Sequence, residues 1–229
     1  METTEPTDSV IYISLDFLFG KFDPSIHPDF VLVDKKYARK DIYLHKLCHQ
    51  AFVSMAEAAT IDSINLFIIS GTRTFNQQKD LWERKWTGRT LVNGKKLNIQ
   101  YRKSIPRALK ILEYTAPPGF SRHHWGTDVD INSVEEDYFK TEQGLKIYNW
   151  LNTNAIRFGF EQTYKELGEE RKSGFNEEKW HWSFTPISNQ IWMEMIRVFK
   201  QKHIADFNGY RSVQKLDLLQ NYIKSINKK

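Results

Sequence analysis

His123, Asp130, Glu178 and His181 are the residues of this chain whose types and spacing could together do chemistry. Two imidazoles and one carboxylate are a good ligand set for Zn²⁺, and three protein ligands leave the fourth tetrahedral position open. Water in such a position has its pKa lowered from about 15.7 to about 7. Hydrolysis then needs a base that takes the water's proton and returns it to a leaving amine. Glu178 stands three residues before His181, close enough to share the site. The rival two-His-one-carboxylate iron site usually opens with His-x-Asp/Glu. His123, His124 and His181 all lack an acid two residues on.

The backbone must bend to gather these groups. His123 and Asp130 are seven apart and would face opposite ways on a continuous strand. Gly126 lies between them and lets the chain turn. Glu178 and His181 would also oppose each other on a regular strand, so a bend before the strand must aim Glu178 inward. The spacing thus permits the site without fixing it. Trp125, Trp180 and Trp182 flank the set and read as packing around it.

The rest of the chain supplies short strands and helices in mixed order. Leu44, Leu47, Ala51 and Met55 recur with helical spacing, which predicts a helix over 41–59. The apolar run 64–69 reads as a buried strand, and 75–86 as a helix carrying Leu81, Trp82 and Trp86 on one side. Asn93-Gly94 marks a hairpin within 90–98. Pro106 starts a short helix that Pro117, Pro118 and Gly119 break. The second half of 121–132 alternates like a strand. Residues 139–157 read as a helix, 160–164 and 179–184 as strands. Ile191, Trp192, Met195 and Phe199 form one helical stripe near the C-terminus, and Leu216, Leu219, Ile223 and Ile226 another. Without regular βαβ alternation, the fold class is α+β.

Composition sets the outer limits. The 229 residues fit one domain with appendages. With 40% apolar and 27% charged residues the chain can build a core and a solvated surface. No apolar run reaches the roughly 18 residues of a membrane span. One cysteine, Cys48, excludes an internal disulfide and a multi-cysteine zinc site. The net charge of +5 is concentrated in residues 196–229, where eight Lys/Arg face two Asp. That reads as a solubilising helix face, and no nucleic-acid partner is expected. Residues 1–10 read as a loose polar tail with no signal-peptide pattern, which fits either a cytoplasmic protein or one whose signal has been removed.

The pattern Ser121-x-His123-x-x-Gly126-x-x-x-Asp130, followed by Glu178-x-Trp180-His181, resembles the signature of the VanY-type D-alanyl-D-alanine carboxypeptidases, which are M15 zinc metallopeptidases. Ser70-Gly71-Thr72-Arg73-Thr74-Phe75 is similar to that family's Ser-Gly-Tyr-Arg-Ser-Tyr segment. The resemblance covers about 64–184 of a single metallopeptidase domain spanning 1–229. An N-terminal extension and a helical C-terminal extension, 186–229, lie outside it.

The resemblance implies a small, mainly antiparallel sheet surrounded by helices, with one zinc ion per chain in a groove at the sheet. His123, Asp130 and His181 would bind the metal, Glu178 would be general base and acid, and Arg73 would stabilise the oxyanion. Ser121, Gln78 and Tyr164 would contact substrate. Asp128, where the family often has a small residue, would be an ion-pair or outer-sphere partner, and His124 would line the cleft. Thr72 stands where the family commonly has tyrosine. The implied function is release of terminal D-Ala from peptidoglycan stem peptides in the cell envelope. The alternatives are an L,D-carboxypeptidase, an endopeptidase cutting between L-Ala and D-Glu, and a non-catalytic wall-binding module.

Overall fold

A computed structural model describes residues 13–226. The expected tail at 1–10 lies outside the described residues. Six strands form: β1 (Phe30–Leu32), β2 (Tyr43–His45), β3 (Ile68–Ser70), β4 (Asp128–Ile131), β5 (Phe160–Gln162) and β6 (His181–Phe184). The helices are α1 (Leu15–Leu18), α2 (Lys46–Ile61), α3 (Phe75–Trp86), α4 (Leu97–Gln100), α5 (Ser104–Ile111), α6 (Glu142–Asn154), α7 (Thr185–Val198) and α8 (Tyr210–Val213). β1 and β2 make a hairpin, and the other four strands make an antiparallel sheet in the order β3-β4-β6-β5. Among the described residues no helix is long and apolar enough to cross a membrane.

The sheet has two chemically opposite faces because side chains alternate along a strand. Val129 and Ile131 of β4, Trp182 of β6, Ile68 of β3 and Phe160 of β5 join one apolar cluster with α2 and α6. The intervening residues, Asp128 and Asp130 of β4 and His181 and Ser183 of β6, point the other way. Register pairs Asp128 with Ser183 and Asp130 with His181.

A second apolar cluster, with Trp82, Trp125, Tyr164 and residues of α5 and α7, closes the far side. Its members include Ile204, Phe207, Val213, Leu218, Ile223 and Ile226, so the C-terminal segment helps build the core that carries Trp125. Hydrogen bonds from the Trp82 indole to the Asn208 carbonyl and from the Trp192 indole to the Ile223 carbonyl fix it there. The basic residues are correspondingly left outward: Lys200, Lys202, Arg211 and Lys215 are exposed.

Several boundaries differ from expectation for local reasons. Residues 43–45 pair as β2 with β1, so the expected helix over 41–59 begins at Lys46. The apolar run 64–69 enters the ladder with β4 only at Ile68–Ser70, while Asn65 and Phe67 before it are held by hydrogen bonds with Asn132. The helix α3 matches its expected range, fixed at its start by a Thr74–Gln77 capping box. Of the last expected stripe only Leu219 and Ile223 are helical, in a short π turn at Leu219–Ile223.

Gly126 sits between the turn Arg122–Trp125 and β4 with φ +70°, in the left-handed region. A Cβ there would lie 2.3 Å from Phe30 Cε1 and 2.8 Å from the His45 backbone nitrogen. Gly94, at the hairpin turn, has φ +71° but open space around it. Gly94→Ala therefore incurs backbone strain alone, about 1 kcal/mol. Gly126→Ala adds steric overlap and should cost about 2 kcal/mol or more. Urea unfolding of the two variants checks this ordering, and equal losses would contradict it.

Candidate functional site

Three elements bring the chemistry together. The first is the 3-10 turn Arg122–Trp125, which presents His123. The Arg73 backbone N–H donates to the His123 carbonyl at 3.0 Å, tying this turn to the start of α3. His123 Nδ1 lies 2.9 Å from the Gly71 carbonyl. A carbonyl only accepts, so Nδ1 carries the proton and the Nε2 lone pair is left facing the cleft. The second element is β4, which presents Asp130. The third is β6 with the turn before it. The His181 N–H donates to the Glu178 carbonyl at 3.2 Å, and the Glu178 N–H donates to the Tyr164 carbonyl at 2.9 Å. This turn supplies the bend that aims Glu178 inward.

The ligand-type atoms of His123, Asp130 and His181 lie within 4.8 Å of one another, and all three residues are buried. Asp130 Oδ1 is 3.3 Å from His123 Nε2 and 3.6 Å from His181 Nδ1. His123 Nε2 and Asp130 Oδ1 are nevertheless buried with no hydrogen-bond partner. Two unsatisfied buried atoms facing one point are costly, and a cation between them would satisfy both. His181 Nδ1 also contacts Glu178 Oε2 at 2.9 Å, while its Nε2 donates to Asp128 Oδ2 at 2.8 Å. Burial alone would lower the His181 pKa, but Asp128 and Glu178 on its two nitrogens raise it to about 9. Both His181 nitrogens thus face carboxylate oxygens. An orphaned imidazole nitrogen, an orphaned carboxylate oxygen and a second imidazole fit a divalent metal such as zinc.

Asp128 is fully buried and fully engaged. It accepts from Arg122 Nε at 2.8 Å, Ser183 Oγ at 2.8 Å and Thr127 Oγ1 at 3.1 Å, as well as from His181. Burial would raise its pKa, and the Arg122 guanidinium and His181 hold it well below the usual carboxylate range instead. Asp130 is likewise held down, to about 2, by His123, His181 and Arg73 against the effect of burial. Burial pushes Glu178 the other way, above the ordinary value.

The site opens into a cleft of about 800 Å³. His123, Asp130, Glu178, His181 and Arg73 all line it. Arg73 Nε is buried with no partner. The structure does not bring the other expected substrate residues to this wall. Gln78 is buried and donates its amide to the Ala116 carbonyl at 2.7 Å. Ser121 is buried beneath the turn. Tyr164 is buried in the second cluster, with its ring 5.0 Å from that of His181.

The expectation that His124 lines the cleft is corrected. It is fully buried on the opposite side of the turn. The Gly119 N–H donates to Nε2 at 3.0 Å, so Nδ1 carries the proton and donates to the Arg73 carbonyl at 2.6 Å. Burial first of all keeps this ring neutral, with its pKa lowered to about 3. Gly20 leaves the space it occupies, since a Cβ there would lie 2.3 Å from Nδ1.

Sequence reasoning missed Lys85, Tyr114, Thr115, Asn176 and the acidic turn Glu135–Asp137, which also line the cleft. Lys85 carried a faint signal, since it shares a helix face with Leu81, one turn away. The others lie on irregular segments whose placement no spacing rule gives.

Comparison with known proteins identifies the family. Residues 41–187, well over half the chain, match the VanY family, described as D-alanyl-D-alanine carboxypeptidase. A D-alanyl-D-alanine carboxypeptidase of Enterococcus faecalis is 28% identical over 131 residues, which are 57% of this chain and 44% of that protein. The chain spans about half the length of the curated relatives it matches. A glutamate-to-alanine mutant of the vancomycin resistance D,D-pentapeptidase VanY, solved with Zn(II), superposes with a TM-score of 0.52 at 23% identity, covering 71% of this chain and 83% of that one. The L,D-carboxypeptidase LdcB superposes with a TM-score of 0.53 at 20% identity, covering 89% and 80%. With the metal-ligand constellation in place and the family match spanning every element that builds it, the chain belongs to the VanY family.

Proposed function

We propose that this protein is a zinc-dependent peptidase of peptidoglycan stem peptides, acting as a D,D-carboxypeptidase that releases terminal D-Ala. The observation that carries the reading is the convergence of His123 Nε2, Asp130 Oδ1 and His181 Nδ1 on one point of a cleft that also holds Glu178 and Arg73. Those three atoms would hold the ion. Bound there, zinc would supply Lewis acidity, acidifying a water and polarising a carbonyl.

The remaining work falls to the chain's own side chains. The Glu178 carboxylate takes the proton of the attacking water and delivers it to the nitrogen of the departing D-Ala. Its burial favours holding that proton between the two transfers. The Arg73 guanidinium donates to the carbonyl oxygen as negative charge builds on it, and losing such a donor typically costs about 10²–10³ in rate. Asp128 fixes the His181 tautomer through Nε2 and leaves Nδ1 for the ion. A non-catalytic wall-binding role has less support, because a structural metal site has no use for Glu178 and Arg73 in the cleft. Action on stem peptides implies residence in the cell envelope.

The deciding experiment is mass spectrometry of a synthetic pentapeptide stem ending in D-Ala-D-Ala, incubated with zinc-loaded protein. Loss of a single D-Ala is expected. Cleavage at another bond would move the enzyme to the L,D or endopeptidase class, and no cleavage by zinc-loaded protein would overturn the D,D-carboxypeptidase reading in favour of a binding module or another peptide substrate. Glu178→Gln should retain the metal while turnover falls by about 10²–10⁴. Asp128→Asn keeps the side chain's shape but removes the charge on His181. It should weaken zinc binding by about 10–100-fold, measured by competition with a chromogenic chelator. Unchanged affinity would show that Asp128 serves only the ion pair with Arg122.

A further inference from the structure

Lys85 is a cation held by a neutral hydroxyl. It lies in the last turn of α3, and such lysines usually point outward to complement the helix dipole. This one turns into the cleft that holds Arg73, Glu178 and His181. Its Nζ donates to Thr115 Oγ1 at 2.6 Å, a neutral partner. Among the described residues it forms no ion pair, although Lys110 and Lys179, also partly buried, have Glu113 and Glu177. Glu113 is engaged by Lys110, Asp137 by Lys140, Glu136 by the Tyr114 hydroxyl and Glu178 by His181, while Glu135, on the same cleft, lies beyond ion-pair distance of Lys85 and acts on it only as a more distant charge. Burial, and then the Arg73 charge, disfavour its ammonium form, and the charges of Glu178 and Glu135 offset this only in part. A half-desolvated ammonium beside a guanidinium, satisfied by one hydroxyl, is an arrangement that an arriving anion would relieve.

We propose that Lys85 anchors a carboxylate of the substrate, with Thr115 orienting the ammonium towards it. The inference rests on the stem-peptide reading above and adds a recognition element to it. A charge-assisted contact in a partly dry cleft is strong enough to set substrate choice. A stem peptide offers two such groups, the free C-terminal carboxylate of the residue to be released and the α-carboxylate of an internal D-Glu. The first would make Lys85 a selector for exopeptidase cleavage, and the second a reader of the stem itself.

Binding separates these outcomes without relying on turnover. Zinc-loaded Glu178→Gln protein is titrated calorimetrically with a pentapeptide stem, its C-terminal amide, and the form amidated at the D-Glu α-carboxylate. Each titration is repeated with Lys85→Met and Lys85→Arg added. Lys85→Met should raise the Kd of the parent peptide about tenfold or more, and Lys85→Arg should keep most of the affinity. The amide that lacks the anchored carboxylate should bind weakly and respond little to Lys85→Met, as a double-mutant cycle requires. Whichever amide behaves this way identifies the carboxylate. Equal effects of Lys85→Met on all three peptides, or none, would overturn the anchor while leaving the stem-peptide reading intact. If no peptide binds the Lys85 protein at all, the substrate reading fails and the anchor fails with it. Thermal melting by circular dichroism should show Lys85→Met folded, since methionine keeps the apolar stem and removes only the charge. Should it unfold, Lys85→Gln takes its place in the same titrations.

Discussion

The cross-strand pairing of Asp130 with His181 is the constraint on which the site depends. Directly opposed residues of an antiparallel pair hold their Cβ atoms about 4.5–5.5 Å apart, close enough for a carboxylate and an imidazole to share one ion. A slip of one strand by one residue would turn its own member of the pair into the apolar cluster and bring Val129 or Trp182 to the cleft. The register is therefore held by the hydrophobic effect. Val129, Ile131 and Trp182 are almost fully buried on the reverse face, and their burial fixes which residues face the chemistry. A metal site is thereby positioned by the core behind it.

The polar face must then carry several charges in little water. Asp128, Asp130, Glu178, Arg73 and Arg122 all sit within a few residues of the imidazoles in space. Arg122 lies over the Trp125 ring at 4.9 Å and donates Nη2 to Ser183 Oγ at 2.7 Å while it neutralises Asp128. Breaking a buried pair of this kind by removing one partner costs about 3–5 kcal/mol, because a lone charge remains. The pairing of Asp128 with Arg122 has a consequence for His181. It keeps the Asp128 carboxylate ionised, so that carboxylate accepts the Nε2 proton and leaves Nδ1 turned to the cleft. Stability and ligand geometry are here served by the same hydrogen bonds.

The chemistry was more legible in the sequence than the scaffold. Paired histidine, aspartate and glutamate at their spacing, with Gly126 as the turn, marked the centre because metal chemistry restricts residue types severely. Which carboxylate faces the metal follows from strand parity, and Asp128 and Asp130 have the same parity. Spacing within β4 therefore left both open, and the family resemblance favoured Asp130. In three dimensions Arg122 and Ser183 occupy Asp128, while Asp130 Oδ1 stays bare. His124 was misplaced for a related reason. Adjacent residues on a 3-10 turn point about a third of a turn apart, so only one can face the cleft, and the other met Gly119 and Arg73. Buried neutral histidines leave little mark on a sequence. Gln78 and Tyr164 are buried by packing that joins distant segments, which no local pattern records.

The segments outside the resemblance are part of the same mechanical argument. The Trp125 indole donates to the Leu18 carbonyl at 3.2 Å, and the Phe75 N–H donates to the Gly20 carbonyl at 2.7 Å. The N-terminal stretch thus grips both the turn that presents His123 and the helix that follows Arg73. The β1–β2 hairpin adds a third grip, with the His45 N–H donating to the Gly126 carbonyl at 2.9 Å and the Thr72 N–H to the Tyr43 carbonyl at 3.0 Å. His123 and Arg73 sit on irregular backbone, which has no ladder of its own to hold it to the sub-ångström tolerance that the proposed metal ligand and oxyanion donor would require. The extension supplies those missing hydrogen bonds. The C-terminal residues do the equivalent for α3, through Asn208 and Phe207 against Trp82. What lies outside the recognisable motif is the frame that keeps Arg73 and His123 at a fixed distance from the sheet.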